Sequence, residues 1–88
     1  MPYDYQTERA KIFTEEGQKL FLAIRDETSR LLRIAGAARV LEIIKMQGGD
    51  TWLMLACIDR LVELGEIREL TGPECSAQAR VFTTPLPG

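Results

Sequence analysis

The chain has 88 residues, with 11 Lys and Arg against 13 Asp and Glu, no His and two Cys. That is one small domain, and a chain of this size buries only roughly 60% of its unfolded surface, so it needs a dense core or a partner. Its 45% hydrophobic and 27% charged residues exclude a disordered or collagen-like chain. The longest apolar run, Trp52–Ile58, falls far short of the ~20 residues of a membrane span. The opening Met1-Pro2-Tyr3-Asp4-Tyr5 lacks the basic-then-apolar pattern of a secretory leader.

The lack of histidine removes an imidazole base, Ser-His and Cys-His pairs and His metal ligands. Cys57 and Cys75, with no further thiol, do not make a Cys/His zinc site, and no cofactor is expected. Cys57 lies in the apolar run and reads as a buried, inert thiol, whereas Cys75 lies in a turn-rich segment. Two unpaired thiols fit a reducing, cytoplasmic setting.

In chain order, residues 1–13 lack periodicity and read as a loose N-terminal arm from which Tyr3, Tyr5 and Ile12 are able to dock. Residues 14–84 read as the domain and 85–88 as a tail. Thr14 suits an N-cap, with Glu15 and Glu16 in the first turn at the positive end of the helix dipole. Leu20, Ile24, Leu31 and Ala35, widened by Phe21, Thr28 and Leu32, trace the apolar stripe of a helix of about twenty residues. Gly36 breaks it, and a second helix is expected over about 37–46, ended by Gly48-Gly49. Asp50 or Thr51 caps a third helix that Gly65 stops. Residues 66–70 and 79–83 then read as two short strands of a hairpin around a Gly-Pro loop, and Pro85 and Pro87 end the structure. The expected fold is α+β: three helices and a C-terminal two-stranded hairpin.

This order resembles a winged helix over residues 37–84. Gln47-Gly48-Gly49-Asp50 has the length of a helix-turn-helix connection. The stretch Ile58-Asp59-Arg60-Leu61-Val62-Glu63-Leu64-Gly65-Glu66-Ile67 resembles the end of a recognition helix entering the first wing strand, and Arg80-Val81-Phe82 resembles the returning strand. Ala37–Ile44 looks as much like the family's first helix as its second; on the former reading the usual middle helix is missing and the fold is a reduced variant.

Winged helices usually bind DNA, so the resemblance implies a nucleic-acid reader, but the charges oppose it. Residues 1–49 carry 8 basic and 7 acidic side chains, and the remainder carries 3 and 6, so the expected recognition helix and wing form the acidic end. Phosphate binding needs the opposite sign. The reading positions of the recognition helix fall near Thr51, Trp52, Leu53, Leu55, Ala56 and Asp59, of which Thr51 alone suits a base contact. A helix apolar all round is covered on more than one side, here by the long first helix or by another chain. Arg25, Arg30, Arg33 and Arg39 form the remaining basic cluster, interleaved with Asp26 and Glu27, and read as a solvated, ion-paired face. Glu63, Glu66 and Glu69 gather acid near the wing's base without suggesting a reaction. The expectation is a non-enzymatic, regulator-like interaction module that homodimerises or binds a protein through Trp52, Leu53, Leu55, Phe21 and Leu22. The alternative is a DNA-binding regulator using Thr51 and the four arginines.

Overall fold

Four local signals divide the chain. The Thr14 side chain accepts the Gly17 N–H at 3.0 Å and opens α2 (Glu15–Ala35). Gly36, at φ 78°, closes it, because the left-handed conformation that stops a helix is costly for residues with a Cβ. Asp50 accepts the Trp52 N–H at 3.0 Å and opens α4 (Thr51–Glu63). Gly65, at φ 76°, turns the chain out of α4 toward the sheet. The computed structural model describes residues 2–72 and 79–85. The expected Gly-Pro loop with Cys75, and Pro87, lie outside the described residues.

The structure is α+β, and it departs from the expected outline in two places. Residues 37–39, expected to begin the second helix, instead form strand β1 (Ala37–Arg39), and α3 is the short helix Val40–Ile44. β1 pairs antiparallel with β3 (Val81–Thr83), which also pairs antiparallel with β2 (Arg68–Leu70), in the order β1-β3-β2. The expected two-stranded hairpin is therefore a three-stranded sheet. The physical reason lies at the switch from β1 to α3. Ala38 and Val40 are buried around an exposed Arg39, a strand-like alternation too short to separate from a helix by periodicity. The Glu42 carboxylate accepts the Arg39 N–H at 3.1 Å, which fixes the helix start one residue later.

The second departure is the N-terminus. Residues 5–8 form α1 (Tyr5–Glu8) and Arg9–Phe13 continue as a 3-10 helix, both packed on α4. The expected loose arm is thus a folded element, with Ile12 and Glu8 buried at 1% and 3% exposure. Its sequence lacks a helical stripe because so few of its side chains turn inward.

α4 is the centre of the core. Leu53, Met54, Ala56, Cys57, Ile58 and Leu61 are all buried, beside Ile24 and Leu32 of α2, Val40 and Ile43 of α3, Ile67, and Phe82 of β3. Each fully buried aliphatic side chain contributes about 1.5–3 kcal/mol.

Gly17 gives a direct check on the N-terminal packing. A Cβ there would overlap the Lys11 carbonyl oxygen and lie 2.8 Å from Ile12 Cα. Alanine gains about 1 kcal/mol of helix propensity over glycine. The obstructing atoms are backbone and yield little, so an overpacking cost of about 1–3 kcal/mol outweighs that gain. Gly17→Ala is expected to lower the urea midpoint, and a raised midpoint would show that the 3-10 helix is not held against α2.

Candidate functional site

Two arrangements of side chains surround α4. The first is a polar network at its outer side. The residues Trp52, Ala56, Asp59 and Glu63 recur at four-, three- and four-residue steps and share one face of the helix. The N-terminal segment lies over this face. Tyr3 donates its hydroxyl to Asp59 Oδ2 at 2.6 Å, and Tyr5 donates to Glu63 Oε1 at 2.8 Å. Arg9 Nε reaches the same Glu63 oxygen at 3.1 Å, and Arg60 Nη1 reaches it at 2.6 Å. Pro2, Asp4, Thr7 and Glu8 form a recess against Trp52.

Arg80 completes the network from the sheet side. Its Nη2 donates to Asp59 Oδ1 at 2.6 Å and to Glu69 Oε1 at 2.9 Å, while Nε donates to Glu69 Oε2 at 3.0 Å. Glu69 is thus held side-on by two parallel bonds, the geometry a guanidinium favours. The Arg80 carbonyl accepts the Val40 N–H at 3.0 Å, and its guanidinium lies 5.1 Å from the Phe82 ring centre. One residue therefore joins the starts of α3 and β3 to α4 and β2.

The charges respond to these contacts. Bonds from Arg60, Tyr5 and Arg9 hold the Glu63 carboxyl down to about 2. Burial and the bond to Asp59 push the Tyr3 phenol well above its ordinary range. The bond to Glu69, reinforced by Asp59, raises the Arg80 guanidinium. Burial alone pushes the Cys57 thiol up to about 11, so little thiolate forms at neutral pH.

The second arrangement is an apolar cleft of about 370 Å³ between α3 and α4. Val40, Leu41 and Ile44 line one wall, Thr51, Trp52 and Leu55 the other, and Tyr3 and Arg80 close one end. Leu41 remains 50% exposed, and Met46, in the turn after α3, 75% exposed. Its volume lies at the small end of the ~300–1,000 Å³ typical of ligand pockets.

The residues singled out from the sequence are dispersed by the fold. Trp52 and Leu55 meet in the cleft, half-buried. Leu53, expected at an interface, is instead a core residue at 7% exposure, because its helical position turns it inward beside Met54 and Cys57. Phe21 lines a separate hollow with Ile12, Phe13, Gln18, Arg60 and Leu64, and Leu22 is exposed on α2. Thr51 sits exposed at the start of α4.

Of the four arginines, Arg25 pairs with Asp26 at 3.3 Å and Arg30 with Glu27 at 2.7 Å. Arg33 and Arg39 are exposed and make no ion pair among the described residues. Glu63, Glu66 and Glu69 do not converge: Glu63 faces the N-terminus, Glu69 is bound by Arg80 and Glu66 is exposed.

Tyr3, Tyr5 and Arg80 escaped the sequence reading as partners of the acidic side chains on α4. The one available signal was the Arg80-x-Phe82 spacing, which in an extended segment puts both side chains on one face. No family model, curated protein or solved structure matches the chain.

Two substitutions test the network. Arg80→Met leaves Asp59 and Glu69 partly buried without their cation. Removing one partner of a buried pair costs about 3–5 kcal/mol, and partial exposure reduces this to about 2 kcal/mol. Chemical denaturation reads the loss, and an unchanged midpoint would mean the pairs are solvated.

The second concerns acid. Glu63 has a depressed pKa, so its contribution is full above about 4.5, the ordinary value, and fades as pH falls toward about 2. The wild-type chain should lose more stability across that window than Glu63→Gln. Superimposable acid limbs in the two proteins would remove Glu63 as a clasp.

Proposed function

We propose that this chain is a non-enzymatic, winged-helix-like interaction module that contacts protein through the α3–α4 cleft. The likeness is supported by the order helix, strand, helix, helix, strand, strand from α2 to β3, with sheet order β1-β3-β2. In that alignment α3 takes the place of the family's middle helix, and α4 that of its recognition helix.

The observation that carries the protein-contact reading is the cover on α4. On the face a DNA-reading helix would present, residues 2–9 of the same chain contact Trp52, Asp59 and Glu63, and the latter two are acidic. Duplex binding needs several Lys or Arg free to neutralise phosphates. Arg25 and Arg30 are already matched by Asp26 and Glu27. Among the apolar side chains of α4, Trp52 and Leu55 are half-buried and line a cleft with the aliphatic side chains of α3. Apolar surface of this kind, rimmed by polar groups, is the usual composition of a protein contact. Among the described residues no helix is long and apolar enough to cross a membrane.

The test is a fluorescence anisotropy titration against a labelled random-sequence duplex at low salt. No binding is expected up to tens of micromolar, where non-specific DNA binders of ~10⁻⁴–10⁻⁶ M affinity would begin to register. Micromolar binding that weakens steeply with added salt would favour the regulator reading through Thr51, Arg25, Arg30, Arg33 and Arg39.

A further inference from the structure

We propose that the α3–α4 cleft receives a second copy of this chain, with Leu41 of each copy seated in the cleft of the other. This rests on the protein-contact reading above and names the partner. Leu41 stands 50% exposed on α3, while Val40 and Ile43 beside it are buried at 2% and 0%. On one side of Leu41 lies the cleft with Ile44, Trp52 and Leu55; on the other lies a shelf of Arg39, Glu42 and Ala79. A projecting aliphatic side chain beside an apolar recess is the combination a two-fold interface requires. In such an interface each residue meets the complement of its counterpart, and the contact occurs twice.

The charges around Leu41 point to the same partner. Arg39 and Glu42 are both exposed, and neither makes an ion pair among the described residues. Glu42 accepts the Arg39 backbone N–H with one oxygen at 3.1 Å, and the Arg39 guanidinium has no partner among the described residues. Lys45, the other charge on this stretch, lies close enough to α2 to act on Glu27. A uniformly basic or acidic partner would bring a like charge against either Arg39 or Glu42. A second copy in two-fold register does not, because Arg39 meets Glu42 of the partner subunit at both ends of the contact.

Sedimentation equilibrium of the full chain from about 1 to 200 µM, read with the emission of Trp52, tests the assignment. The wild-type protein is expected to pass from monomer to dimer over this range, with Trp52 emission moving to the blue as the cleft closes. Leu41→Asp, at a half-exposed site, is expected to raise the dimer dissociation constant at least about tenfold with unchanged far-UV circular dichroism. Arg39→Glu and Glu42→Lys should each weaken the dimer, and an equimolar mixture of the two should restore it, because both contacts are then between opposite charges. A wild-type monomer throughout, or a dimer indifferent to Leu41→Asp and to mixing, overturns this inference while leaving a contact with another protein open. Steeply salt-dependent binding of random-sequence duplex overturns the protein-contact reading beneath it.

Discussion

The structure depends on a helix with an unusually wide buried side. Six of the thirteen residues of α4 are buried, and their positions span about half of its circumference. A single neighbouring helix covers a stripe roughly 100° wide, so α4 has to be enclosed from several directions. α2 packs along one side, α3 and Phe82 of the sheet close others, and the N-terminal segment takes the outer face. Apart from α2, the elements around α4 are short because their task is local. α3 has five residues and each strand three, lengths that would not persist without α4 to pack on.

The polar groups follow from the same constraint. On the side of α4 left by its buried stripe, Asp59 is half-buried and Glu63 exposed, and both take partners from distant parts of the chain. Tyr3 and Tyr5 approach from 56 and 58 positions away, and Arg80 from 21. These contacts set the angle at which the N-terminal segment and the sheet meet α4, a constraint that apolar packing alone specifies loosely. They also explain how Asp59 and Glu69, half-buried in the acidic end of the chain, are compatible with a close-packed fold: both are held by Arg80.

Much of the outline was legible in the residues. Thr14, Gly36, Asp50 and Gly65 mark helix ends through local chemistry, in which a side chain caps an N–H or a glycine adopts positive φ, and local chemistry is what a sequence displays most directly. Ala37–Arg39 was not legible as a strand, because three residues carry no periodicity and the partner strand lies more than forty positions on. The N-terminal segment was misread for a related reason: Ile12 and Glu8 are buried by tertiary packing, with no stripe to announce it. At the candidate site, Trp52 and Leu55 were found from the apolar excess of α4. The inward turn of Leu53 and the part played by Leu41 depend on helix rotation and on where α3 begins.

The central position of β3 has a consequence for how the sheet holds together. Its ladder with β2 closes a short loop, whereas its ladder with β1 joins residues about four times farther apart in sequence. Each doubling of a flexible loop adds about 0.6 kcal/mol of closure entropy, so the second ladder starts about 1 kcal/mol behind the first. Three residue pairs cannot overcome that handicap unaided. β1 is brought to β3 by the docking of α2 and α3 on α4, and Thr83 donating to the Gly36 carbonyl at 2.7 Å secures the far corner. The edge beside β1 is therefore a dependency of the helices, and loosening of their packing opens it before the hairpin gives way.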